Sequence, residues 1–219
     1  MTDKNVSIMN IGSMGYLPQV FKKIENEKKL NIVYLGGSIT MGCNATKTEL
    51  RYVDRSAKWW QTNFPDAEIS YFNAGIGATT SQFGVARVQE HVLDKQPDLV
   101  FVEFSVNDSS SPLFMETYES LVRRLLKAES VKAVVLINNL FYDTGTNAQG
   151  IHNAVGLHYD LPIVSVRNYI FPEIQLGNVC LADYTADMLH PTDLGHKMIA
   201  DLICNLLDTE YSVSSRLQI

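Results

Sequence analysis

Residues 31–40 read NIVYLGGSIT, and the rest of the fold can be built outward from this stretch. Its first half, 31–35, is a short apolar run rich in β-branched residues, which favours a buried β-strand. The glycine pair that follows allows a sharp turn, after which a helix can begin at Ser38. The stretch therefore predicts a strand, a tight turn and a helix in succession, the unit from which parallel sheets are built.

Four further apolar runs have the same character. They lie at 68–72 (EISYF), 99–104 (LVFVEF), 132–137 (KAVVLI) and 161–166 (LPIVSV), with segments of helical period between them. Each run is nearly apolar throughout, as expected for strands covered on both faces. The alternation predicts an α/β fold with a five-stranded parallel sheet. A chain of 219 residues that is 46% hydrophobic suits one such domain, so we expect a single domain over residues 1–219.

Two helices are predicted most clearly by apolar residues that recur every three or four positions. One spans about 112–126, where Ser111 and Pro112 suit the N-cap and the first helical position. The other follows Pro191 and carries an apolar stripe over 198–207. This last helix is expected to anchor the segment that precedes it.

Charge and composition exclude several classes of function. The net charge is −6 and the basic residues are dispersed, so the chain lacks the positive stripe that nucleic acids or anionic membranes require. No signal peptide or membrane-spanning stretch is visible, which predicts a cytoplasmic protein. The odd count of cysteines favours small buried apolar residues in a reducing compartment over disulfides or a zinc site; they are Cys43, Cys180 and Cys204.

The carboxyl ends of three predicted strands carry unusual residues. In an open parallel sheet ligands bind along this edge. The first run leads into 36–40 (GGSIT), the second into 73–80 (NAGIGATT) and the third into 105–108 (SVND). These three segments are therefore expected to lie side by side and to form a site.

The residue types in these segments suit acyl transfer. Ser38 can serve as a nucleophile, held at the sheet edge with a free backbone N–H beside it. A backbone N–H near Gly77 or Ala78 can approach a reacting carbonyl, and the side-chain amide of Asn107 can donate a further hydrogen bond. Together these donors predict an oxyanion hole.

A base for the serine is predicted near the other end of the chain, in the segment 187–191 (DMLHP). Asp187, three residues before His190, can bond one ring nitrogen and leave the other to face Ser38. The remaining histidines are interpreted as surface residues or as supports of the site; they are His91, His152, His158 and His196. His152 also stays a candidate because the loop 143–150 can line the substrate site.

These four segments resemble the motif blocks of the SGNH or GDSL-type hydrolases, which centre on serine, glycine, asparagine and histidine. The resemblance implies a flavodoxin-like, three-layer αβα fold with strand order 2-1-3-4-5, and ester hydrolysis without a metal or cofactor. It also implies that Ser38 attacks, that His190 is the base and that Asp187 orients it. It further implies that the Ser38 N–H, a backbone N–H near Gly77 or Ala78 and the Asn107 amide form the oxyanion hole.

The chain departs from the family pattern at two positions. Ser105 stands where a glycine is usual, and Ala78 aligns with the oxyanion glycine, although Gly77 is an alternative register. Because the donor there is a backbone N–H, alanine can still serve if its dihedral angles permit.

Within the family, the GGSIT form of the serine segment is most similar to carbohydrate esterases, which remove small acyl groups from sugars. Further residues carry the same resemblance; they are Trp59-Trp60, Phe64-Pro65 and 73–75 (NAG). This resemblance implies an acetylated sugar or oligosaccharide as substrate and leaves the oligomeric state open. An acyltransferase stays an alternative because a sugar hydroxyl can resolve the same acyl-enzyme. A lysophospholipase or thioesterase activity is a further alternative.

Other classes fit the residues less well. A phosphate loop starting at Gly37 would need Lys and Ser or Thr where Cys43 and Asn44 stand. The α/β-hydrolase elbow requires glycine where Thr40 stands. A dinucleotide fingerprint starting at Gly75 lacks its third glycine. A binding protein without turnover would have no need of the full catalytic set. A metal-dependent hydrolase is disfavoured because no His, Asp and Glu cluster has metal-ligand spacing.

Overall fold

A computed structural model describes residues 3–217 and arranges them around one mixed β-sheet. The strands are β1 Ile8–Asn10, β2 Lys29–Gly36, β3 Glu68–Gly75, β4 Leu99–Glu103, β5 Ala133–Asn138 and β6 Ile163–Ser165. The helices are α1 Leu17–Glu27, α2 Ser38–Met41, α3 Tyr52–Asn63, α4 Ser81–His91, α5 Pro112–Leu126, α6 Gln149–His158, α7 Val166–Gln175, α8 Leu181–Tyr184 and α9 Asp193–Leu217. Short 3₁₀ turns lie at Lys4–Ser7, Thr48–Leu50 and Leu93–Lys95.

The sheet has the order β1-β6-β5-β4-β2-β3 over the described residues. The five predicted strands are β2 to β6, they run parallel, and in their own numbering they keep the order 2-1-3-4-5. The prediction of a five-stranded, wholly parallel sheet is nevertheless wrong, because β1 adds a sixth strand antiparallel to β6. A strand of three residues is too short to show a hydrophobic period, which explains why the sequence did not reveal it.

Helices cover both faces of the sheet and give three layers. Alternate residues of β2 point to opposite sides, so that Ile32 and Tyr34 join one apolar cluster while Val33 and Leu35 join the other. The first cluster includes residues of α1, α3, α7 and α9, and the second includes residues of α4, α5 and α6. Trp60 is fully buried in the first cluster and so belongs to the core.

The strand β3 lies at the edge of the sheet and is only partly covered. Ser70, Tyr71 and Phe72 are exposed, so the expectation that every run is buried on both faces is wrong for this strand. By contrast, β4 and β5 are buried throughout. The covered strands β2 and β4 are the ones that deliver Ser38 and Asn107 to the site.

The two helices predicted from apolar spacing are present. Pro112 begins α5, although the Ser111 side chain makes no capping hydrogen bond. The Oγ1 atom of Thr192 accepts a hydrogen bond of 3.2 Å from the Gly195 N–H and so caps α9. None of the helices within residues 3–217 is both long and apolar enough to cross a bilayer. The three cysteines are free, but the prediction that they are buried is wrong, because Cys180 is exposed and Cys43 and Cys204 are only half-buried.

Candidate active site

The three predicted strand ends meet at one edge of the sheet. Gly36 at the end of β2 lies opposite Gly75 of β3 on one side and Glu103 of β4 on the other. The segments that follow these strands therefore leave the sheet next to one another. Ser38 begins α2 directly after the glycine pair and is nearly buried.

Both glycines of the pair are needed for close approach of the backbone. A Cβ atom at Gly36 would lie 2.0 Å from Thr40 Oγ1, and one at Gly37 would lie 2.4 Å from Asn107 Oδ1. Glycine at these positions thus lets α2 and the Asn107 segment pack against the end of β2. As the first residue of α2, Ser38 has a backbone N–H with no acceptor inside the helix.

The structure brings Ser38, His190 and Asp187 into one hydrogen-bonded row. The distance between His190 Nε2 and Ser38 Oγ is 2.9 Å, and that between His190 Nδ1 and Asp187 Oδ2 is 2.7 Å. Residues 152 positions apart in the chain are thereby joined at the sheet edge. The aspartate bonds one ring nitrogen and the other faces the serine, as the spacing of the last segment predicts.

The Asp187 carboxylate accepts hydrogen bonds from its own loop as well. Its Oδ1 atom accepts from the backbone N–H of Leu189 at 3.1 Å and from that of His190 at 2.7 Å. Partial burial raises the pKa of Asp187, but the hydrogen bonds from the His190 side chain and these two N–H groups outweigh it and lower the pKa to about 2. The aspartate is therefore ionised at neutral pH.

The loop that carries Asp187 and His190 is fixed at its ends and in its middle. Thr185 and Pro191 form an antiparallel bridge that closes it, and the Thr185 hydroxyl donates to the His190 carbonyl at 2.9 Å. At its tip, the Met188 carbonyl accepts from the Tyr142 N–H at 2.8 Å. Met188 has φ +66°, in the left-handed region that a non-glycine residue rarely adopts without such support.

The expected oxyanion donors lie beside Ser38. A Cβ atom at Gly77 would lie 4.0 Å from Ser38 Cβ, so this backbone passes close to the serine. Ala78 has φ +57°, the left-handed conformation that glycine adopts freely, and alanine is tolerated in it. In the part of the chain that the structure describes, neither the Gly77 nor the Ala78 N–H donates to a protein acceptor. Asn107 Oδ1 is buried against Gly37 without a protein partner.

Ser105, which stands where the family pattern has glycine, is buried in a polar cluster. Its hydroxyl donates to the Asn139 carbonyl at 3.1 Å and to Glu103 at 3.5 Å. Thr40 Oγ1 also donates to Glu103, at 3.4 Å. Burial raises the pKa of Glu103 to about 7, although hydrogen bonds from Asn139 and Thr40 act to lower it. This cluster was not predicted; the sequence feature that indicates it is a glutamate inside an otherwise apolar strand.

A second residue that the sequence analysis missed is Arg87 of α4. Its guanidinium group donates to the Ala74 carbonyl at 2.7 Å and to the Gly36 carbonyl at 3.1 Å, at the ends of β3 and β2. It is nearly buried, and burial lowers its pKa to about 10. Its sequence signal is its position three residues after Gly84 on the buried face of α4.

Two of the other four histidines are fully buried, so a surface position is wrong for them. His196 Nδ1 accepts from the Tyr52 N–H at 3.3 Å, and its Nε2 lies 3.0 Å from the Cys43 carbonyl, in the loop after α2. His152 lies 3.0 Å from Asp108. His91 is half-buried and His158 is exposed. Among residues 3–217, no three His, Cys, Asp or Glu side chains are grouped to hold a metal ion.

Comparison with known proteins decides the family. Residues 34–198, which span all four motif segments, match the model of the GDSL-like lipase/acylhydrolase family. The chain belongs to this family. The residues described above lie within the matched region.

Solved structures and a characterised relative resemble this acylhydrolase. A two-domain esterase (CEX) active on acetylated mannans, co-crystallised with mannopentaose, is 44% identical with a TM-score of 0.95; the match covers 97% of this chain and 58% of that one. This chain thus spans less than two thirds of the two-domain protein. An acetylxylan esterase of Geobacillus stearothermophilus is 25% identical over 207 residues, which cover 81% of this chain and 93% of the relative.

The fold of the acylhydrolase is also that of Axe2, an acetylxylan esterase from the same organism. The crystal structure of one of its catalytic mutants, in which a serine is replaced by alanine, has a TM-score of 0.67 at 20% identity. The match covers 81% of this chain and 94% of Axe2. In two further catalytic mutants a histidine or an aspartate is replaced.

Proposed function

We propose that this acylhydrolase is a serine esterase that removes acetyl groups from carbohydrates, with Ser38, His190 and Asp187 as its catalytic triad. The observation that carries the proposal is the row of hydrogen bonds of 2.9 and 2.7 Å from Ser38 through His190 to Asp187. This row lies at the carboxyl ends of parallel strands, where ligands bind in open α/β sheets.

Acylation follows from the geometry of this row. Ser38 Oγ attacks the ester carbonyl carbon while His190 Nε2 takes its proton. Asp187, ionised at neutral pH, accepts from Nδ1 and so keeps the ring in the tautomer whose Nε2 can act as a base. When the tetrahedral intermediate collapses, His190 gives the proton to the leaving sugar oxygen and the acetyl group stays on Ser38.

The charge that develops on the carbonyl oxygen needs donors that are already in place. We assign these to the Ser38 N–H, one backbone N–H of Gly77 or Ala78, and the Asn107 amide. The support is that these N–H groups have no acceptor within the described residues, and that Gly37 lets Asn107 approach the nucleophile turn closely. Water, activated by His190, then releases acetate and restores Ser38.

The choice of an acetylated sugar rests on the relatives and on the surface beside the triad. Two similar proteins act on acetylated mannans and on acetylxylan. Ala186, the neighbour of Asp187 in the chain, helps to line an open hollow of about 570 Å³, whose other lining residues include the polar Asn44, Thr46, Asp183 and Thr192 and the apolar Leu194. The polar groups among these residues can bond sugar hydroxyls.

The test is acetate release from acetylated manno- and xylo-oligosaccharides by the purified chain. We expect the parent protein and the control His158→Ala, whose histidine is exposed, to release acetate at equal rates. Ser38→Ala and His190→Ala should lose roughly 10³-fold or more in kcat. Acetate release by Ser38→Ala at the parental rate would overturn the proposal.

Two further measurements refine the reaction. We expect p-nitrophenyl acetate to be cleaved faster than longer-chain p-nitrophenyl esters. Mass spectrometry of the products, with and without an unacetylated oligosaccharide, separates hydrolysis from transfer. Free acetate in both cases supports the esterase, and an acetylated acceptor supports an acyltransferase that uses the same triad.

A further inference from the structure

A buried Asp–His pair lies next to the proposed oxyanion hole and takes no part in the triad. Asp108 Oδ2 and His152 Nε2 are 3.0 Å apart, and both side chains are completely buried. The His152 ring stacks on Tyr118 with 3.6 Å between ring centroids and 6° between ring planes. Burying a carboxylate costs free energy unless its oxygens are bonded, so the partners of Asp108 indicate what it does.

The other carboxylate oxygen of Asp108 holds a second segment of the site. Its Oδ1 atom accepts from the backbone N–H of Ser81 at 2.9 Å. Ser81 is the first residue of α4, and the preceding Thr80 provides no side-chain cap. Asp108 therefore supplies the cap from another part of the chain, and its negative charge lies at the positive end of the helix.

The positions of these residues in the chain link the pair to the oxyanion donors. Asp108 directly follows Asn107, and the N–H groups of both residues donate to the Phe104 carbonyl, at 2.9 and 3.0 Å, in one tight turn. Ser81 lies three residues after Ala78. One carboxylate thus joins the turn that carries the Asn107 amide to the segment that carries the Gly77 and Ala78 N–H groups.

The surroundings of His152 identify it as a neutral donor. Its Nδ1 atom is buried without a hydrogen-bond partner in the described part of the chain. A proton there would be a buried donor without an acceptor, so the single ring proton belongs on Nε2, where Asp108 accepts it. Burial also lowers the pKa of His152, although Asp108 acts to raise it.

We propose that Asp108 and His152 are positioning residues, which hold the Asn107 amide and the Gly77–Ala78 backbone at the spacing that the oxyanion requires. The inference rests on the proposed esterase function. His152 fixes the rotamer of Asp108, and Asp108 fixes the separation of the two segments. Since the negative charge on the oxygen is absent from the bound substrate and develops only towards the tetrahedral intermediate, loosening this link lowers kcat and leaves KM unchanged.

The first test replaces the donor of His152. His152→Gln keeps an N–H where Nε2 lies, and His152→Leu has similar bulk without one. We expect His152→Gln to retain kcat within about 3-fold, and His152→Leu to lose roughly 10- to 100-fold, less than the loss of a whole oxyanion donor. KM for p-nitrophenyl acetate should change by less than about 3-fold in both, as expected for an effect confined to the transition state.

The second test removes the Ser81 N–H, and it does not depend on the folding of a His152 variant. Proline is tolerated at the first position of a helix, and Thr80, at φ −105° and ψ 172°, has the extended backbone that a following proline requires. Ser81→Pro therefore removes the bond to Asp108, while the matched Ser81→Ala loses only the hydroxyl contact with Thr117. We expect Ser81→Pro to lose kcat and Ser81→Ala to keep it.

A purely structural role predicts a different result. His152→Leu and Ser81→Pro would then lower the melting temperature and keep the parental kcat per folded molecule, and this outcome overturns the inference. Equal losses of kcat in His152→Gln and His152→Leu would also overturn it. Ser38→Ala, measured in parallel, separates the two proposals: activity in that variant rejects the esterase mechanism itself.

Discussion

Replacement of Glu103 by glutamine should stabilise the protein in a way that depends on pH. Glu103 is fully buried at the end of β4, and burial raises its pKa from 4.5 to about 7. Its contacts with Thr40 and Ser105 are long, at 3.4 and 3.5 Å, so they offset only part of the cost of burying the charge. Glutamine has the same shape and never ionises.

The magnitude follows from the raised pKa of Glu103. Between pH 4.5 and about 7 the folded protein keeps a proton that the unfolded chain has lost. The free energy of unfolding therefore falls as the pH rises through this window, by about 3 kcal/mol for this one group. The Glu103→Gln variant lacks this loss, so its advantage over the parent should grow by that amount from pH 4.5 to pH 8.

The assay is urea unfolding of the parent and Glu103→Gln, followed by circular dichroism at several pH values across the window. Glu90→Gln, at an exposed glutamate, is the matched control and should show a constant difference from the parent. A difference in stability between Glu103→Gln and the parent that does not change between pH 4.5 and pH 8 would contradict a raised pKa of Glu103. It would mean that Glu103 is ionised throughout.

Three further predictions concern the site itself. Gly37→Ala should lower kcat by roughly 10²-fold, because its Cβ would lie 2.4 Å from Asn107 Oδ1 and displace an oxyanion donor; parental kcat would contradict this. Ala78→Gly should keep kcat and show no loss of stability greater than about 1 kcal/mol, since φ +57° suits glycine; thermal melting and steady-state kinetics check both. Asp187→Asn should lower kcat roughly 10³- to 10⁴-fold. In the parent, Asp187 should stay ionised until the pH approaches 2, so protonation of Asp187 should not cause a loss of activity above pH 4; a pH profile of kcat/KM tests this, and an acid limb above pH 4 that disappears in Asp187→Asn would argue against it.

The parts of the fold that could be predicted are those coded by contiguous residues. Three of the four motif segments follow directly on an apolar strand, so their places at the sheet edge follow from the strands alone. The short strand β1 and the exposed edge β3 could not be predicted in the same way. Three residues show no period, and whether an apolar run such as 68–72 is covered depends on which strands lie beside it.

The site could be predicted less completely than the fold. Ser38, Asp187 and His190 belong to recognisable segments, and the structure brings them within hydrogen-bonding distance. The supporting polar residues depend on contacts between distant parts of the chain. Asp108 and His152 are 44 positions apart, and a histidine in a helix gives no sign of its partner. Buried polar groups of this kind become visible only when their hydrogen bonds are traced.

Acid-quenched peptide mapping shows whether Ser38 carries the acetyl group during turnover. The parent enzyme is mixed with p-nitrophenyl acetate, quenched before the steady state and digested, and the peptides are analysed by mass spectrometry. If Ser38 is the nucleophile, one acetyl group is found on the peptide that contains Ser38, and it is absent in Ser38→Ala. Acetate release with no acetylated Ser38, together with parental turnover by Ser38→Ala, would contradict this role of Ser38.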